Sequence, residues 1–241
     1  MKKEDVAPLK QEKDQFQNPH LHRRKFLANL GLTAVAITGI TACTKTESST
    51  ALSGSSVDES MYGTHYNDIQ ILNYAFLLEQ LEAAFYINVT NSFYSGATSL
   101  EKMRLEQIRD HEIAHREFFK TALGGSGIPD QQFDFSSIDF SDRMSVLSAS
   151  KTFEDTGVSA YNGIAYAINS PDYLVAAGKI VSVEARHAAY IRDLLDPLSF
   201  ADDTVIDSNG LDLASKPYTV VQAISPYLTV KPDMKSFPFN I

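Results

Sequence analysis

Several kinds of chemistry are closed to this chain by what it lacks. In 241 residues there is one cysteine, Cys43, so an intrachain disulfide and a thiolate zinc cluster are both impossible. Basic residues are in deficit, with 21 Lys and Arg against 30 Asp and Glu and a formal net charge of -9. A nucleic-acid partner normally meets a basic face, so that class is disfavoured. No convincing period-2 run suggests strands, which removes a mixed α/β fold. What remains is 44% hydrophobic, enough to bury a sizeable core in one or two domains. The chemistry is left to carboxylates, histidines and hydroxyls.

The first 42 residues read as an address. Met1 to His22 are polar and mixed in charge. Arg23, Arg24 and Lys25 then precede a weakly apolar run from Ala28 to Ala42, which is too short to cross a bilayer comfortably and fits a signal segment. The run ends in Ile40-Thr41-Ala42-Cys43, which looks like a bacterial lipobox, with Cys43 lipidated after cleavage. Arg23 and Arg24 with Phe26 and Leu27 also resemble a twin-arginine export signal. His22 and Ala28 depart from that pattern, so general secretory export stays open. The mature chain has 14 basic and 26 acidic residues, a net charge of -12. Such a surface does not adhere to an anionic membrane, and the lipid would have to hold it there.

Residues 43–66, rich in Ser and Thr, read as a flexible tether. Residues 67–196 carry four helical stretches. The first runs from about Asn67 to Phe93, the second from about Leu100 to Leu123 with Gly124 and Gly125 after it. The third spans about Arg143 to Ile168. Asn169 or Ser170 caps the fourth, with Pro171 in its first turn and Pro197 beyond its end. Ser126 to about Asp142 form the one long connection. Residues 197–241 hold five of the nine prolines and read as a mostly irregular C-terminal tail. The expected fold is all-α: a four-helix bundle with a single crossover between helices 2 and 3.

Polar residues interrupt the apolar stripes. In the second helix the stripe of Leu105, Ile108, Phe119 and Ala122 passes through Glu112 and His115. In the fourth, Ala177, Ile180, Ile191 and Leu194 flank Glu184 and His187. Each Glu-x-x-His places both side chains on one helix face. The first helix sets Glu79 on its stripe of Leu72, Ala75, Phe76, Ala83 and Tyr86, and the third pairs Glu154 with Tyr161, again seven residues on. The chain is therefore an internal repeat, Glu-x6-Tyr followed by Glu-x-x-His, twice. Such a duplication makes a two-fold-symmetric site at the centre of the bundle.

Four inward carboxylates cannot all stay ionised without counter-charge. Either they hold protons or cations neutralise them. Two divalent metals balance four carboxylates, and the histidines add neutral nitrogen ligands. That oxygen-rich set suits iron or manganese better than zinc. Glu82, Glu106 and Glu117 read as surface or helix-edge charges, although Glu82, one turn from Glu79, can substitute for it. Tyr86 and Tyr161 read as core tyrosines whose hydroxyls find a buried acceptor. His111, about 100° around the helix from Glu112, reads as a residue behind the ligands or at the surface.

These residues resemble the ferritin-like superfamily. Leu78 to Tyr86, Glu184 to Tyr190, and Glu154 to Val158 followed by Ala160 and Tyr161 are similar to its branch of exported bacterial ferritin-like proteins and plant desiccation-related proteins. The resemblance covers about Asn67 to Asp196. It implies that Glu79, Glu112, His115, Glu154, Glu184 and His187 ligate two Fe or Mn ions, with Glu112 and Glu184 bridging. Bacterioferritins carry an aspartate before the Glu of each Glu-x-x-His, where this chain has His111 and Val183.

The function expected is an exported, lipid-anchored di-metal carboxylate protein, redox-active toward dioxygen, peroxide or ferrous iron. Its partners would be that small oxidant or metal-ion substrate and the membrane that receives the lipid. Tyr86 and Tyr161 would tune the carboxylates or donate an electron. The alternative is a non-catalytic stress or desiccation protein that uses the bundle as a scaffold. A storage cage fits the Pro-rich tail less well.

Overall fold

A computed structural model describes residues 66–231 and 233–238. The signal segment, Cys43 and nearly all of the tether lie outside the described residues. Four long helices follow: α1 (Asp68–Asn91), α2 (Ser99–Leu123), α3 (Arg143–Ile164) and α4 (Pro171–Leu195). A short helix, α5 (Pro217–Ile224), stands in the tail. Among the described residues there is no strand, only the isolated bridges Phe133–Leu228 and Ile206–Asp212. The fold is all-α.

The helix starts follow from local chemistry. Asn67 accepts from the Gln70 amide while the Gln70 side chain accepts from the Asn67 amide, and Thr98 and Glu101 repeat that arrangement. Each box satisfies two amides that a helix start leaves without partners. Asp142 caps α3, and Ser170 caps α4 with Pro171 behind it. Gly124, at φ 51°, ends α2 in the left-handed region, where glycine carries no Cβ penalty.

α1 packs mainly on α2 and α3 on α4, and α1 also meets α3. The crossover runs the length of α1. Asn73 holds Ser126 and Ile128, Gln80 accepts from the Gln131 amide, and Ser95 donates to Ser141 at the far end. Phe135 and Phe140 reach Phe85, which also meets Phe153 of α3 at 5.0 Å. α1 is therefore covered on every side: Ile71 to Ala83 are buried without a break, rather than along a single stripe. A helix that is apolar all round belongs inside, and here the crossover provides its outer wall.

The tail is irregular over most of its length but lies against the bundle. Arg192 of α4 is paired with Asp155 of α3 and reaches Asp202, Thr204 and the Ser199 carbonyl. Ser215 donates to the Ser159 carbonyl, and α5 buries Val220 and Ile224. Gly163 is required there, since a Cβ on it would stand 1.9 Å from the Ser215 oxygen.

Candidate metal centre

The four helices bring the six expected residues to one place. Glu79, Glu112, Glu154 and Glu184 are each 0% exposed, and His187 is 5% exposed. His115 is more open, with 13% of its side chain exposed. Its Nδ1 lies 2.8 Å from Glu184, 3.4 Å from Glu79 and 3.5 Å from Glu112. Nδ1 of His187 lies 2.7 Å from Glu112, 3.5 Å from Glu154 and 3.9 Å from Glu184. Two groups of four donor atoms result, one from Glu79, Glu112, His115 and Glu184, the other from Glu112, Glu154, Glu184 and His187. Within each group the atoms all lie within 4.8 Å of one another. Glu112 and Glu184 belong to both.

The tyrosines exchange partners across the repeat. Tyr86 of α1 donates to Glu154 of α3, and Tyr161 of α3 donates to Glu79 of α1. One oxygen of each terminal carboxylate is thereby held, leaving Oε2 of Glu79 and of Glu154 buried without a hydrogen-bond partner. Both oxygens of Glu112 and Glu184, and Nδ1 of His115 and His187, likewise make no hydrogen bond of good geometry, although the imidazoles lie close against these carboxylates. Buried polar atoms of a native protein are ordinarily satisfied. Eight that converge on one spot are the signature of a site built for cations, and the donor set suits hard or borderline divalent metals.

Electrostatics among the protein groups alone tell the same story. Burial is the largest influence on every one of the carboxyls. It pushes Glu79 up to about 7 and also raises Glu154 and Glu184, the latter further through the charges of Glu112 and Glu79. For Glu112 burial is outweighed by the close imidazoles of His115 and His187, which bring it down to about 2. Burial would lower His115, but Glu112, Glu184 and Glu79 push it up to about 12. The cluster thus has an appetite for positive charge that protons on the histidines only partly meet.

One residue departs from the sequence reading, and two others gain a definite place. Glu82, read as a helix-edge charge, is 2% exposed and points toward the same cluster. A Cβ at Gly157, on the facing helix, would stand 2.9 Å from its Oε1. A glycine inside α3 costs about 0.5–1 kcal/mol against alanine, and the room it leaves is what the Glu82 carboxyl occupies. His111 lies behind a ligand, as one of its two readings expected. Its Nδ1 lies 2.9 Å from Nε2 of His187, with the rings stacked at 5.1 Å. The signal for the first two lies in the i+3 spacing of Glu82 and Gly157 after their respective glutamates. Glu106 and Glu117 are exposed as expected.

A family profile described as the ferritin-like domain matches residues 67–197, more than half of the chain. No curated protein matches it.

Proposed function

We propose a function that starts from the family, for the chain belongs to the ferritin-like domain family. The bundle holds two iron or manganese ions and acts as an exported, lipid-anchored oxidoreductase toward dioxygen, peroxide or ferrous iron. The observation that carries this reading is the pair of four-donor groups sharing Glu112 and Glu184. Glu79 and His115 would complete one ion's ligands, Glu154 and His187 the other's, and the shared carboxylates would bridge. Once bound, such a pair supplies one-electron redox chemistry and a Lewis-acid clamp for both oxygens of a small oxidant.

The chain's own residues do the rest. Tyr161 and Tyr86 hold Oε1 of Glu79 and Glu154, which turns each Oε2 toward the centre. For Nδ1 of His187 to offer a lone pair, Nε2 must carry the proton and donate it to Nδ1 of His111. Burial and the neighbouring His187 hold His111 below its ordinary pKa, which keeps that acceptor bare. The lipobox at Ile40 to Cys43 and the likeness to the desiccation-related branch support an envelope location.

Elemental analysis of protein purified from its native compartment tests the reading, followed by oxygen, peroxide and Fe(II) turnover. Close to two transition-metal ions per chain and turnover of one of these substrates are expected. Protein that carries no such metal and takes up none under anaerobic Fe(II) or Mn(II) titration overturns it. Two ions without turnover would leave the scaffold reading. For the anchor, Cys43→Ser should move the protein from the membrane to the soluble fraction or leave an uncleaved precursor. A variant that fractionates and migrates like wild type sinks the lipobox.

A further inference from the structure

Glu82 is not one of the six residues read as ligands, and any role for it at their centre rests on that reading. It lies one turn beyond Glu79 on α1, so the two side chains project from one face. It is 2% exposed. After burial, the groups that weigh on it are Glu184, Glu112, Glu79 and Glu154, in that order. All four are carboxyl groups.

The placement is specific. The position where a Cβ on Gly157 would stand is 2.9 Å from Oε1 of Glu82 and 3.8 Å from Oε2 of Glu184. The Glu82 carboxyl and one of the two shared carboxylates therefore border a single notch in α3. Gly157 follows Glu154 by three residues, as Glu82 follows Glu79. At this pair of matched positions one half of the repeat carries an acid, and the other carries no side chain and leaves space for it. A buried carboxyl among carboxylates is suited to a cation.

We propose that Glu82 is a seventh ligand of the di-metal centre, admitted to its Glu184 edge by the notch at Gly157. The centre then presents five carboxylates and two imidazoles, and the two-fold symmetry of the repeat is broken at the metals themselves.

Anaerobic Mn(II) titration of the full chain, followed by electron paramagnetic resonance, tests this with Glu82→Gln, Gly157→Ala and the exposed-acid control Glu106→Gln. Wild type and Glu106→Gln should each take two ions. Glu82→Gln should bind at least one of them about tenfold more weakly, with a changed resonance spectrum. Gly157→Ala keeps the carboxyl but crowds it, and should move affinity and spectrum in the same direction by a smaller factor. Glu82→Gln that binds both ions with wild-type affinity and spectrum overturns the proposal while leaving the six-ligand reading intact. Should Glu82→Gln fail to fold, an unchanged Gly157→Ala overturns it equally. A wild-type chain that takes up no ion removes both this proposal and the function it rests on.

Discussion

Helices α1 and α2 bring Glu79, Glu112 and His115 to the centre, and α3 and α4 bring Glu154, Glu184 and His187 at matching offsets. The two halves differ in what stands beside those residues. The first half has Glu82 where the second has Gly157, and His111 where the second has Val183. His111 reaches across to His187 of the other half, whereas the Val183 side chain has nothing to offer a ring nitrogen. His187 is correspondingly the more enclosed histidine, at 5% side-chain exposure against 13% for His115. The comparison teaches that the repeat is kept where charge must converge and abandoned one to three residues away. A symmetric set of charges here sits in an asymmetric surround, and the two ion positions are expected to differ in affinity.

The strongest way to break that comparison is to remove a residue both halves share. Glu112→Ala or Glu184→Ala should lose most of both ions, whereas Glu79→Ala or Glu154→Ala should lose chiefly one, read by elemental analysis after anaerobic loading. A Glu112 or Glu184 variant that still holds one ion tightly would show that the halves bind independently.

Next in size is the effect of metal on stability. Ions that bind only the folded bundle should add about 2.7 kcal/mol at a hundredfold excess over Kd, a rise of roughly 5–10 °C in Tm for a domain of this size. The chelated protein should show a pH dependence of definite sign. Glu79 is raised from 4.5 to about 7 by burial, so its contribution is fully present below its unfolded pKa and is lost as pH rises through about 7. Glu112, held down at about 2, contributes above its unfolded pKa and loses that only as pH falls through about 2. Between pH 5 and 7 the chelated protein should therefore weaken as pH rises, Glu79→Gln should flatten the slope, and added Mn(II) should do the same. A Tm indifferent to metal and chelator at neutral pH would contradict the convergence of the four glutamates.

The smallest effect sharpens the difference between the histidines. His111→Ala removes the partner of His187 Nε2 and should weaken one ion by about 10–100-fold. Val183→Ala should leave both ions within a few-fold of wild type. Equal losses in the two variants would mean that the asymmetry around the rings is energetically silent.

Much of this was legible in the chain. Apolar spacing of 3.6, with Gly124 and Gly125 closing the second helix and Asn169 or Ser170 with Pro171 opening the fourth, locates the four helices because those signals act within a few residues. The i,i+3 spacing of Glu112 with His115 and of Glu184 with His187 puts each pair on one face for the same local reason. The burial of α1 on all sides was not legible as a stripe, since its outer wall comes from Phe135 and Phe140 some fifty residues later. The tail shows the same limit. Its prolines mark irregular chain, but only its path decides that Ser215 rests on α3 at Gly163.

The sequence by itself determined the helices, the duplicated pattern and the identity of four inward carboxylates and two histidines, because periodicity and residue chemistry are properties of short stretches. Only the tertiary structure decided which partner each group meets. Tyr86 holds Glu154 rather than the Glu79 on its own helix, and Tyr161 holds Glu79 in return. Glu82 turns inward because Gly157 leaves it room, and His111 meets a ring seventy-six residues away. Each of these contacts joins side chains on different helices, and the distance between helices is set by the packing of the whole core rather than by any local run of residues.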